Sequence, residues 1–197
     1  MKIFNIDMYG LEQSILASGY PMRSEIFETG LVVVAGESGM KRAGKLGNTP
    51  VGAAHDNFLN GVIVQADFQM PSYWWPEAQR YHWFDFVSSQ SKMHCILKFN
   101  LDKQCIEGTD SRIIAITKEY VKKYNDNPTN ENFENILKNT PMGLELTARM
   151  TMNYRQLKTM YAQRKNHRLS AWTKVFIPFV EELPYAKELG ILGGTNV

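Results

Sequence analysis

Between Leu144 and Arg168 the hydrophobic period changes once, at Asn153, and that change constrains the fold more than any other stretch. Leu144, Leu146, Ala148, Met150 and Met152 alternate with Glu145, Thr147, Arg149 and Thr151, the period-two pattern of a half-buried strand. Past Asn153, the residues Tyr154, Leu157, Met160, Tyr161 and Arg164 fall on one helical face, while Arg155, Thr159 and Ala162 gather on another. Asparagine is a strong N-cap, because its side-chain oxygen accepts from the unpaired N–H groups of the first turn. A strand therefore runs straight into a helix whose first turn carries Arg155. Free N–H groups and the dipole make such a start attractive to anions. Arg164, on the apolar stripe, is either a snorkelling stem with its head in water or a cation held for a ligand.

The rest of the chain supplies the partners of this unit. Met1–Asp7 alternates weakly as an edge strand, Leu11–Ala17 reads as a helix closed by Gly19 and Pro21, and residues 31–35 (LVVVA) as a buried strand. Val62, Val64, Ala66, Phe68 and Met70 alternate with polar partners up to Pro71, a further strand. PSYWWPEAQRYHWFDF reads as a helix entered at Ser72 or Pro76, and VSSQSKMHCILKF as a serine-rich turn and a strand. Helices follow over Ser111–Tyr124, Phe133–Leu137 and Trp172–Leu183, the last with a break at Pro178, and residues 190–197 read as a loose tail. Strands and helices in this mixture give an α+β chain. At 197 residues, 44% hydrophobic, it is most simply a single domain with one sizeable core.

Composition narrows the function. A net charge of +2 does not point to nucleic acid or to a membrane surface, and no run is long and apolar enough for a span or a leader, so a cytosolic protein is expected. Cys95 and Cys105 are two thiols outside any Cys-x-x-Cys spacing. The glycine-rich segment 36–54 reads as a long loop, one that is uncommon unless it has work to do. Its Gly39-x-x-x-x-Gly44-Lys45 pattern imitates a phosphate-binding loop, but Leu46 stands where a hydroxyl should hold magnesium, and Gly47 and Pro50 forbid the helix that should follow.

A second segment carries chemistry. Gln79–His94 gathers Arg80, His82, Ser88, Ser89, Ser91, Lys92 and His94, donors suited to a phosphorylated or carbonyl-bearing ligand. Taken alone, it reads equally well as an aromatic helix with a capped serine turn.

Four elements taken together resemble one family. His55-Asp56-Asn57-Phe58-Leu59, then Arg80-Tyr81-His82, then Ser88-Ser89-Gln90-Ser91, then Asn153-x-Arg155-x-Leu157 with Arg164 are similar, in order and spacing, to the motifs of the flavin-dependent thymidylate synthases. Arg80 follows His55 by 25 residues and Arg164 follows Asn153 by 11, as in that family. The likeness spans Ala53–Arg164, and residues 1–50 show hardly any. It implies a mostly antiparallel sheet flanked by helices, with a ligand-binding core over 53–168. It implies that His55, Asn57, Arg80, Tyr81, His82, Asn153, Arg155 and Thr159 lie along FAD. Ser89, Ser91, Lys92, Lys138 and Arg164 would meet a pyrimidine nucleotide such as dUMP, Arg164 and Ser91 at the catalytic centre. The implied reaction is reductive methylation at C5, with methylenetetrahydrofolate as carbon donor and NADPH as reductant, in a homotetramer whose cofactor sits between subunits.

The sequence departs from that pattern in places that matter. The family's Arg-His-Arg triplet reads Arg80-Tyr81-His82, one extra residue separates Arg80 from Ser91, and Ser89 stands for a glutamate. A phosphate-gripping arginine is replaced by Met93, beside Lys92, and a second would fall at Leu137, beside Lys138. Lysine is a point charge, not a bidentate fork. Two alternatives therefore stand: a binding protein that kept the fold and lost catalysis, and a metal-dependent hydrolase or deaminase using His55, His82, His94 and Cys95. No His-x-x-x-His or Cys-x-x-Cys spacing supports the second, and no metal site is expected.

Overall fold

Val62, Val64, Ala66, Phe68 and Met70 are all completely buried, and the alternation that puts them on one face makes β2 (Ile63–Pro71) an inner strand. The computed structural model describes residues 1–24, 35–50 and 52–193. Its sheet has four antiparallel strands in the order β1 (Lys2–Tyr9), β2, β4 (Glu145–Asn153) and β3 (Phe84–Ser89), and with the helices around it forms one α+β domain, as expected. β4 is the strand read from the sequence, and Ala148, Met150 and Met152 are its buried face. The edge position of β3 explains why only Phe84 of its six residues is buried.

Contacts within the domain gather into two compact units, and each of the four strands gives residues to both. The first comprises Met1–Phe4, Asp67–Arg80 and Phe86–Met150. Its core is Ile96, Leu101 of α5 (Leu101–Gln104), Ile136 and Leu144, covered by Val121, Tyr124 and Phe133 from α6 (Ser111–Asp126) and α7 (Asn130–Lys138). Both helices start as their sequences dictate. The Asp110 carboxylate accepts from the Arg112 N–H at 2.8 Å, and the Thr129 hydroxyl from the Asn132 N–H at 3.2 Å.

The second unit comprises Asn5–Ala66, Tyr81–Asp85 and Thr151–Val197. In it α8 (Tyr154–Arg164) begins at Asn153, whose Oδ1 accepts from the Gln156 N–H at 2.8 Å. Such a cap is worth about 1 kcal/mol. Leu157 and Met160 are fully buried, each contributing roughly 1.5–3 kcal/mol. Helix α1 (Leu11–Ala17) is where the sequence puts it.

Several expectations are corrected. The glycine-rich stretch is mostly a helix, α2 (Glu37–Gly47), and not a loop. Gly39, Ala43 and Gly47, spaced by four, form a buried face of small residues, so close packing overrides the poor helix propensity of glycine. A Cβ on Gly47 would stand 2.2 Å from the Leu189 carbonyl oxygen. The helix expected over 72–86 shrinks to α3 (Trp75–Ala78), and β3 takes the aromatic residues that follow. Where a strand was expected after the serines there are two short helical turns, α4 (Lys92–Cys95) and a 3₁₀ turn over Ile96–Lys98. Burial of Ile96 alone, without alternation, is what a turn needs.

Near the C-terminus Ala171–Phe176 is a π-helix leading into Ile177–Glu181. Pro178 has no N–H for the Lys174 carbonyl, which loosens the ladder at that point. Ile191, expected in a loose tail, is fully buried, as is Leu189. Residues 194–197 and most of the strand expected over 31–35 lie outside the described residues.

Candidate functional site

The first unit contains a cleft of about 280 Å³. Leu146 and Ala148 of β4 line it, with Trp75 and Phe86 as an aromatic wall whose ring centroids lie 5.2 Å apart. The Trp75 indole is fixed, since its Nε1–H donates to the Met70 carbonyl at 3.2 Å. Polar groups converge on this apolar surface from Ser72, Gln79, Ser89, Gln90 and Lys92. A cleft of that size suits a nucleoside-sized ligand and is too small for a dinucleotide cofactor. Ser89 and Lys92, singled out from the sequence, line it; Trp75, Phe86 and Gln90 were missed as site residues.

Ser91 precedes α4 and is half-buried, outside the lining. Lys138 lies on α7, exposed and paired with Glu134 at 3.0 Å, and is not part of the cleft. Arg80 is exposed just after α3.

The second unit brings together residues from the other motifs. Asp56, only 1% exposed, takes the Arg155 Nε at 3.1 Å on one carboxylate oxygen and the Lys158 Nζ at 2.9 Å on the other. Lys158 is itself buried and also donates to the carbonyls of Gly47 and Thr49, at 2.8 and 2.6 Å. His55 and Asn57, which flank Asp56, are exposed. The Arg155 guanidinium is thus held by its inner nitrogen, and among the described residues its two terminal nitrogens bond no other side chain. Two first-turn N–H groups of α8 are already used, Tyr154 by the Val62 carbonyl and Gln156 by Asn153. The arginine, more than the helix start, is what the site offers an anion. Asp56 and Lys158 escaped the sequence reading because a lysine on a stripe with Leu157 and Tyr161 looks like a solvated neighbour.

Arg164 is not snorkelling freely. Its Nε donates to the Tyr81 hydroxyl at 2.6 Å, and its guanidinium carbon lies 4.5 Å from the Trp172 ring centre and 5.2 Å from that of Tyr81. The Tyr81 hydroxyl in turn donates to Gln163 Oε1 at 3.0 Å. His82 is exposed, with its ring 4.8 Å from that of Trp83. Thr159 is half-buried, its hydroxyl 3.4 Å from the Arg155 carbonyl. Farther along α8, burial and the Glu181 carboxylate push the Tyr161 phenol up to about 12.

Among the described residues no three His, Cys, Asp or Glu side chains are grouped so as to hold a metal ion. Burial, with Asp102 and Glu145 nearby, pushes the Cys105 thiol up, the wrong direction for a nucleophile. No helix among the described residues is long and apolar enough to cross a membrane.

No protein-family model matches the chain, and no curated protein matches it in sequence. Solved structures match it in fold. One is the flavin-dependent thymidylate synthase ThyX from Helicobacter pylori complexed with FAD and dUMP, at a TM-score of 0.70 and 12% identity, over 95% of this chain and 96% of that one. Another is Thymidylate Synthase X from the same organism with FAD and dUMP, at 0.71 and 14%, over 95% of each chain. The chain shares their fold. At such identity the likeness is one of architecture, and at 95% coverage it extends into residues 1–50, where the motifs show none.

Proposed function

We propose that the protein is a flavin-dependent enzyme of the thymidylate synthase type, cytoplasmic and homotetrameric, that carries out reductive C5 methylation of a pyrimidine deoxynucleotide such as dUMP. FAD is its cofactor, and NADPH and methylenetetrahydrofolate are its co-substrates. The single observation that carries the reading is the fold shared over 95% of the chain with structures holding FAD and dUMP. The order and spacing of the four motifs support it independently.

The residues present fit such a cofactor. Arg155, anchored through Nε, keeps its outer edge for a phosphate oxygen, and His55, Asn57, Asn153 and Thr159 belong to the same unit. Tyr81 and His82 share that unit, while Arg80 belongs to the other. When bound, a flavin supplies the hydride transfer that no side chain can perform. The chain's part is positioning and charge. Ser89, Lys92 and the aromatic wall hold the nucleotide, with Ser91 and Lys138 assigned to it on the motif pattern alone. Arg164, in the second unit, is assigned to the pyrimidine on the motif pattern alone, as a cation for a carbonyl on which charge develops. No cysteine nucleophile is required.

A second reading is favoured by the Arg164–Tyr81 bond, because a cation already satisfied within its own unit suits a nucleotide-binding protein without turnover. One assay separates the two. Full-length protein with FAD, NADPH and methylenetetrahydrofolate should release tritium from dUMP labelled at C5. Tight dUMP binding without tritium release selects the second reading, and a colourless protein that binds no nucleotide discards both.

A further inference from the structure

The amide of Gln90 has only one way round. Its backbone N–H donates to the Thr147 carbonyl at 2.8 Å, and the Thr147 N–H lies 2.9 Å from the side-chain Oε1. A peptide N–H can only donate, so the end of the carboxamide that faces Thr147 must be the oxygen. The Nε2 group is then the end of the side chain that remains for a ligand in the cleft Gln90 lines. The neighbours lean the same way. Lys92 is the one ionised lining residue and has only protons to give, and no carboxylate lines the cleft.

We infer that Gln90 is a specificity residue that makes the cleft select ligand edges built from acceptor oxygens, a ring carbonyl or a phosphoryl group, over edges that carry donors. This rests on the reading of the cleft as a pyrimidine nucleotide site and names the residue that decides which atoms it accepts. Gln90→Glu keeps an oxygen for the Thr147 N–H and turns the other end from a donor into a charged acceptor. Gln90→Leu removes the donor without adding charge.

The test is calorimetric binding of dUMP and deoxyuridine to the full-length, FAD-supplemented protein and both variants, with thermal melts to confirm that each is folded. Gln90→Glu should weaken dUMP binding by about tenfold or more, and Gln90→Leu by roughly three- to tenfold. If deoxyuridine weakens equally, the donor meets the base; if only dUMP weakens, it meets the phosphate; either outcome supports the inference. Folded variants that bind dUMP as tightly as the wild type overturn it while leaving the nucleotide reading intact. A wild-type protein that binds neither compound removes that reading, and the inference falls with it.

Discussion

The Nε of Arg164 donates to the Tyr81 hydroxyl across 2.6 Å, with the guanidinium lying over the Trp172 ring at 4.5 Å. A residue of the altered motif triplet thus holds a residue of the last motif, 83 positions away. The bond to a charged donor is of the stronger kind, and the ring contacts add to it. Tyr81→Phe keeps both rings and deletes only the hydroxyl. It should lower kcat for tritium release about tenfold or more while leaving bound flavin unchanged. Arg164→Ala should abolish turnover, again with flavin retained. Flavin absorbance and steady-state rates on the same preparation check both.

Removing Asp56 should cost far more stability than removing either of its partners' outer contacts. Asp56→Ala strands the buried Lys158 ammonium, for which about 3–5 kcal/mol is expected in chemical denaturation. Arg155→Ala leaves the Lys158–Asp56 pair in place and should weaken FAD binding with little change in the unfolding midpoint.

Alkali should unfold the protein through its buried phenols. Tyr161 is raised from 10.0 to about 12 by burial and by Glu181, and Tyr154, fully buried, is raised further by burial alone. An acid whose native pKa is raised favours the native state below its unfolded value and loses that contribution as pH climbs through the native one. Stability should therefore be complete below pH 10 and decline toward pH 12, and Tyr161→Phe should flatten part of that decline in melts taken across the range.

Gly47→Ala tests the packing of α2. The added methyl would meet the Leu189 carbonyl oxygen at 2.2 Å, backbone that cannot swing aside, and a Cβ on Gly190, at φ +73°, would stand 2.5 Å from the Gly47 carbonyl oxygen. Helix propensity alone would reward alanine by roughly 1 kcal/mol. The clash should reverse the sign and destabilise by about 1–3 kcal/mol, read from denaturant midpoints.

Lys92→Met isolates the one cation of the cleft. It should weaken dUMP by about tenfold and deoxyuridine hardly at all, as titrations of the two ligands would show.

Where the hydrophobic period was unbroken, the element could be read directly along the chain. The alternation of 62–70 and 144–152 fixed two inner strands, because one face of each had to be dry. Asn153 fixed the start of α8, because a cap is a contact between residues three apart and needs no partner from elsewhere. The stripe read over Ser111–Tyr124 gave α6 in the same way. The order of the four motifs also pointed to the fold the chain shares.

Other cases turned on a distant group that changed what a residue was worth. Three glycines gave residues 37–47 a loop by propensity, yet they are a helix, with the Leu189 backbone packed where a Cβ on Gly47 would stand. Lys158, which no local pattern singled out, is held by Asp56 and by the Gly47 and Thr49 carbonyls. The orientation of the Gln90 amide, which sets what the cleft can bind, depends on a backbone N–H 57 residues away. Local periodicity is written in neighbours along the chain, whereas burial of a charge and the direction of a hydrogen bond are properties of residues that meet only after it folds.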